Sequence, residues 1–356
     1  MSVHNVVTFG GEIMTEDLAD KAKNKTLLPY IPPRDLVPMT QSARELSDDA
    51  SRVHTVRQLL ADSMAGAVSP AEKLDLVTTG HYELDHDTRG FRNGAVWIFG
   101  AKSSWGKSAW TLMVADENIK RGRRVLIVTC EDAPSMYGDR LMIRRARVDP
   151  FRFDHKSLTH DERARVGSVV SAGEDVPVML DARGKSVEWA VKKARNMIRL
   201  EAVDLVAFDY LHAFDADKPD PKGDRRAHLN FIARHMTDLI KTEGKTGIIF
   251  GQVTPDVKDP VPDMYCIRDS KDVVNAAEVV AIGFEPQSDI MRAGQRIAGQ
   301  GDRVIHLAKN KPGPGPKGRI YKLESDLVHK CFEVTPDPND RYRAFDNQFD
   351  DPLADF

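Results

Sequence analysis

The sequence is poor in cysteine: Cys130, Cys266 and Cys331 are the only three in 356 residues. An odd, widely spread set excludes a disulfide framework and points to a reducing, cytoplasmic setting. Long apolar runs are also missing. Runs such as Val279–Phe284 fall far short of the roughly 18 residues a membrane helix needs, so no membrane partner is expected. Met1 to Phe9 carry no basic stretch followed by an apolar core, which argues against a secretory signal. Charge of one sign is scarce as well. A net charge of −3 gives no bulk field to attract polyanions, so any nucleic-acid contact must come from a local basic patch. Neither metal-ligand spacing among His and Cys nor an internal repeat is found.

What is present is an ordinary folded composition, 41% hydrophobic and 29% charged, which excludes a disordered or fibrous chain. Prolines 29, 32, 33 and 38 make residues 1–40 an extended arm. Val53, Val56, Leu59, Leu60 and Met64 recur at helical spacing, so a helix is expected over about 48–65. Its apolar face docks either on its own domain or on a neighbour. Residues 1–74 form this arm and helix. From 75 to 335, short Val- and Ile-rich runs alternate with helical patterns. The runs are Ala95–Phe99, Val125–Thr129, Val178–Leu180, Leu205–Phe208, Gly247–Phe250, Val279–Phe284 and Val304–Leu307. Unbroken apolar runs suit strands buried on both faces, and the alternation predicts an α/β domain with a mostly parallel sheet flanked by helices. Pro312 to Pro316 is a loop joining late strands. Residues 336–356 carry six aspartates and four aromatics and cannot build a core.

The strongest motif is Ala101-Lys102-Ser103-Ser104-Trp105-Gly106-Lys107-Ser108, a phosphate-binding loop with Ala where Gly is usual. A strand leads in and an amphipathic helix, Lys107 to about Arg121, leads out. Backbone N–H groups at a helix start face phosphates, and the helix dipole favours the anion. Gly106 allows close approach, Lys107 supplies a cation to the β/γ-phosphates, and the Ser108 hydroxyl suits Mg²⁺. Asp209 ends an apolar strand, as does a carboxylate holding Mg²⁺ through water. Glu131 is either a solvated strand-end acid or the group that polarises the attacking water. Gln252 is either a hydrogen-bonded loop amide or a γ-phosphate sensor. Cys130 has no basic partner nearby and reads as a small buried hydrophobe. ATP or another nucleoside triphosphate, with Mg²⁺, is the cofactor set.

The order of motifs resembles the ATPase domain of DnaB-type replicative helicases, a RecA-like P-loop fold. The resemblance rests on Thr79-Gly80, Leu84-Asp85, Gly90-Phe91, the loop Gly100–Ser108, Glu131, Arg145–Asp149, Asp209-Tyr210-Leu211, Gln252, Ile267–Ser270 and Ala308–Lys311. It covers about residues 75–325. It implies a hexameric ring that hydrolyses ATP and moves along single-stranded DNA, unwinding duplex. It assigns Lys107 and Ser108 to phosphate and Mg²⁺, Glu131 to water activation, Asp209 to Mg²⁺ and Gln252 to γ-phosphate sensing. Arg268, Asp269, Ser270 and Lys271 fall where the family's channel loop grips DNA. The bland alternative there is a solvated charged loop. The stretch His212–Arg226 is the weaker channel candidate, because its charges nearly balance.

Lys309 and Lys311 match the family's Lys-x-Arg, which reaches the neighbouring subunit's nucleotide. A lysine cannot fork onto phosphate oxygens as a guanidinium does. Three options stay open: Lys311 acts as a weaker finger, Arg319 takes over, or turnover is slow. The family's N-terminal helical domain is missing, and helix 48–65 matches its linker helix. Such a short form suits a bacteriophage or plasmid system acting in a bacterial cytoplasm. The end, Asp350 to Phe356, resembles the acidic, Phe-ending tip of single-strand-binding proteins. The arm and this tail are the expected contacts for a primase, a loader or other replication proteins. A RecA-like DNA-binding ATPase that does not unwind is the alternative, and a non-catalytic adaptor ranks third.

Overall fold

Val96–Ala101 (β1), Val125–Thr129 (β2), Val178–Asp181 (β3), Leu205–Asp209 (β4), Thr246–Gln252 (β5) and Val279–Phe284 (β6) are the expected apolar runs, now seen as strands. In β1, β2, β4 and β6 every residue is buried. In this computed structural model the described residues are 77–336, apart from 174, 218–223, 255–260, 268–270, 293, 314, 327 and 330. The chain divides between residues 72 and 73. The arm, the helix expected over 48–65 and the tail from 337 onward lie outside the described residues.

The strands Ile290–Arg292 (β7) and Gln295–Ala298 (β8) form a separate hairpin, and Arg303–Asn310 (β9) and Ile320–Leu323 (β10) complete the main sheet. The eight strands run in the order β10-β9-β6-β1-β5-β4-β2-β3. From β6 to β3 all neighbours are parallel; β9 and β10 are antiparallel additions. The segment 312–316 is indeed a loop between late strands, joining β9 to β10. β7, β8 and β10 escape a search for apolar runs because they are short and mixed, with exposed polar positions.

Described helices cover both faces: Tyr82–Thr88 (α1), Lys107–Lys120 (α2), Pro134–Ala146 (α3), Pro150–Asp154 (α4), His160–Ala172 (α5), Val187–Leu200 (α6), Arg225–Thr242 (α7) and Lys271–Ala276 (α8). Strand alternation sends successive side chains to opposite faces. Val96, Ile98, Val206, Phe208 and Ile249 pack with α6 and α7 on one side. Trp97, Phe99, Ala207, Ile248 and Phe250 pack with α2 and α3 on the other. Among the described residues no helix is long and apolar enough to cross a membrane.

β1 is central because β5 and β6 flank it on either side. Its C-terminal end therefore sits mid-sheet, between the ends of β5 and β6, with β4 one strand beyond β5. In an open parallel sheet, such carboxyl ends are where ligands bind. The Phe99 ring stacks on Trp110 at 4.4 Å and lies 5.4 Å from Trp105, which pins the loop after β1 to the core.

Candidate nucleotide-binding site

The loop after β1 is shaped by two residues with positive φ, Ser104 (+64°) and Gly106 (+110°). Gly106 is the N-cap of α2, and no side chain caps that helix start. Its first N–H groups are thus left for an outside acceptor such as phosphate. A Cβ at Gly106 would lie 3.0 Å from the Phe332 ring, so backbone conformation and crowding both demand glycine.

Ser103, Ser104, Gly106, Lys107 and Ser108 share a cavity of about 640 Å³ with Glu131, Asp209, Arg140 and His329. The expected Lys107, Ser108, Glu131 and Asp209, separated by up to 102 residues, come together because β1, β5, β4 and β2 are successive parallel neighbours that end at one end of the sheet. Ser108 Oγ donates to Asp209 Oδ2 at 3.1 Å. Lys107 Nζ lies 3.4 Å from the Lys102 carbonyl and 5.8 Å from the Tyr210 ring centroid. Burial lowers the Lys107 pKa, and the charges of Asp209 and Glu131 oppose that shift. Burial raises the Asp209 pKa against the hydrogen bonds from Tyr137 and Ser108. Glu131 is exposed just beyond β2. Partial desolvation and the neighbouring Asp132 and Asp209 raise its pKa, while Lys107 opposes. A hydroxyl beside a carboxylate, next to an ammonium group, is a hard-oxygen donor set that fits Mg²⁺ with phosphate.

Other expected residues go elsewhere. Ala101 is the last residue of β1, wholly buried and in register with Gln252, so its side chain packs in the sheet. Trp105 is 3% exposed and packs on Phe99 and Phe332, anchoring the loop with its ring turned into the core. Lys102 lines a separate cavity of about 410 Å³ with Ser103 and Trp105. Gln252 ends β5 at the same edge of the sheet, where its N–H donates to His212 Nδ1 at 3.4 Å; it does not line the larger cavity.

Lys309 and Lys311 lie at the end of β9, where Asn310 pairs with Val279 at the start of β6. Because β6 runs parallel to β1, that is the opposite end of the sheet from Lys107. Lys309 Nζ donates to the carbonyls of Val274 (2.9 Å) and Asn275 (2.7 Å) at the end of α8. Arg319, the other candidate finger, is held by Asp87 at 2.8 Å and Glu83 at 3.4 Å. Arg268, Asp269 and Ser270 lie outside the described residues, and of Lys271 only its place at the start of α8 is described. Lys218 and Lys222 of the second channel candidate also lie outside them. Cys130 is half-buried, and burial pushes its thiol up to about 11, in keeping with an inert thiol.

Three contributors have no local signature. Tyr137 O–H donates to Asp209 Oδ2 at 2.5 Å, and burial beside that carboxylate holds its pKa far above the usual phenol range. Arg140 pairs with Asp132 at 2.7 Å. His329 pairs with Asp326 at 2.5 Å on a small hairpin, Ser325–Asp326 (β11) and Cys331–Phe332 (β12). That hairpin also gathers Asp326, Cys331 and Glu333 around the Arg147 guanidinium. The periodicity of the chain shows none of these: the Tyr137 contact spans 72 residues, the Arg140 pair joins a turn to a helix, and His329 lies on a hairpin of two-residue strands.

A Gly-Lys-Ser turn closing a central parallel strand, with carboxylates at the ends of two other strands, defines a P-loop domain of the RecA type. The chain belongs to the DnaB-like helicase C-terminal domain family, whose model matches residues 77–323; the family implies nucleotide binding. The probable replicative DNA helicase of Trieres chinensis is 21% identical over 217 residues, 59% of this chain and 48% of that protein. A separately solved ATPase domain superposes with a TM-score of 0.68 at 17% identity, covering 79% of this chain and 99% of that one. A DnaB-like replicative helicase, solved in a study of its interactions with primase, gives 0.66 at 17% identity over 82% of this chain and 71% of that one. The chain spans about half the length of the curated relatives it matches, 46% to 61%.

Proposed function

We propose that this protein is the motor of a ring-forming replicative DNA helicase, which hydrolyses ATP at subunit interfaces to move along single-stranded DNA. One observation carries the reading. Lys107, Ser108, Asp209 and Glu131 face one cavity, while Lys309 and Lys311 stand at the far end of the same sheet. A chain built this way has its phosphate cradle and its lysine pair on different edges, as a head-to-tail ring requires.

In this reading the α2 N-terminus and Lys107 hold the β/γ-phosphates. Ser108 and Asp209 are the residues that would hold Mg²⁺, which would supply positive charge against the phosphate oxygens. Glu131, its pKa raised, takes the proton of the attacking water. Gln252 reports the γ-phosphate. Lys311 of one subunit reaches its neighbour's nucleotide as a point charge, a weaker finger than a guanidinium. Arg319 is already committed to Asp87, which counts against its taking that part. Arg268, Asp269, Ser270 and Lys271 contact the DNA backbone. The primase contact known for the structural relative extends here to a primase or loader meeting the arm or the acidic tail.

The test is strand displacement on a forked duplex with ATP and Mg²⁺. Displacement that stops with Lys107→Ala is expected. ATP hydrolysis and DNA binding without displacement would leave the non-unwinding ATPase in its place.

A further inference from the structure

Asp209 is 5% exposed. A carboxylate that deep needs donors or a cation. Among the described residues no ion pair holds it; two hydroxyls do, and both reach Oδ2, Ser108 Oγ at 3.1 Å and Tyr137 Oη at 2.5 Å. Tyr137 itself is 2% exposed, so its O–H does not serve water. It sits in the first turn of α3, just past the turn that carries Glu131. That turn is fastened twice at Asp132: Thr129 Oγ1 donates to its carbonyl at 2.7 Å, and Arg140 pairs with its carboxylate. The phenol is thus a strut between the segment bearing Glu131 and the strand bearing Asp209.

We infer that Tyr137 is a positioning residue for Mg²⁺–nucleotide binding: its O–H fixes the Asp209 carboxylate that receives the Ser108 proton. This rests on the nucleotide-site reading above. Ser108 has one proton. Giving it to a fixed Asp209 oxygen leaves the Ser108 lone pairs turned outward for a cation. A carboxylate free to rotate about χ2 would lose that alignment. The Tyr137 hydroxyl, which also neighbours the Ser108 and Thr129 hydroxyls, acts by holding the Asp209–Ser108 pair in place.

The experiment measures binding of a fluorescent ATP analogue to the full chain, in EDTA and across an Mg²⁺ titration. It compares the wild type with Tyr137→Phe, which removes only the O–H. Melting curves check that both are folded. The gain in affinity conferred by Mg²⁺ is expected to fall about tenfold in Y137F, as for a lost hydrogen bond to a charged group. Affinity in EDTA is expected to stay within about twofold, since the α2 N-terminus and Lys107 are untouched. Should Y137F not fold, Y137Q, which keeps a donor, and Y137M, which does not, make the same comparison. An unchanged Mg²⁺ gain, or equal losses with and without Mg²⁺, makes Tyr137 mere packing and overturns the inference. If the wild type binds no Mg²⁺–nucleotide at all, the site reading falls and this one with it.

Discussion

At the scale of single residues, burial and charge act on the same few groups in opposite directions. Glu131 shows the useful side. Partial desolvation and the neighbouring Asp132 and Asp209 raise its pKa, which makes it a stronger base than a free carboxylate. Glu131→Gln is expected to cut steady-state ATP turnover by about 10²–10⁴-fold while leaving nucleotide affinity unchanged; turnover near wild type would remove Glu131 from the reaction. Asp85 shows the costly side. It is buried under the Thr78 hydroxyl and the Thr79 N–H, and burial pushes its pKa up to about 6 despite both donors. A carboxyl whose pKa is higher folded than unfolded favours the protonated, low-pH form. Its contribution is complete below the unfolded value, near 3.8, and is lost as pH rises through 6. Asp85→Asn mimics the protonated acid. Relative to the wild type it should gain about 2 kcal/mol of stability between pH 4 and pH 7, read by urea unfolding at each pH. A difference that does not vary with pH would contradict this.

At the scale of elements, two small pieces do more than their length suggests. The β11–β12 hairpin seats Phe332 against Trp105, ring centroids 5.2 Å apart, and over Gly106. Phe332→Ala should cost about 3–5 kcal/mol, lower the melting temperature and weaken nucleotide binding by loosening the loop. A lower melting temperature with unchanged nucleotide affinity would mean the hairpin is only structural. Helix α8 is six residues long, too short to hold itself. Lys309 binds its last carbonyls, the favoured place for a cation on a helix. Lys309→Met should speed amide exchange over 272–276 and leave the central strands protected.

At the scale of the molecule, the expected state with Mg²⁺ and a non-hydrolysable ATP analogue is a hexamer of six 39.8 kDa chains, about 239 kDa. Light scattering with and without oligo-dT reads it directly. A monomer with both ligands present would leave Lys309 and Lys311 no neighbour to serve.

What was legible in the sequence was whatever is local. β2 and β6 begin and end where the apolar runs at Val125–Thr129 and Val279–Phe284 do. The loop 101–108, its strand and its helix follow from spacing, because turn geometry and helix starts are set by adjacent residues. The strand order was not legible. It interleaves β1 between β5 and β6, partners about 150 and 180 residues away, through packing that leaves no periodic trace. That order alone brings Tyr137 to Asp209, lays Phe332 on Gly106 and turns Trp105 inward. The antiparallel run of β9 sends Lys309 to the opposite end of the sheet. The sequence by itself determined the chemistry available at the phosphate loop. Only the tertiary structure decided which hydroxyls hold the buried carboxylate, since that depends on contacts made across the sheet after the chain has closed on itself.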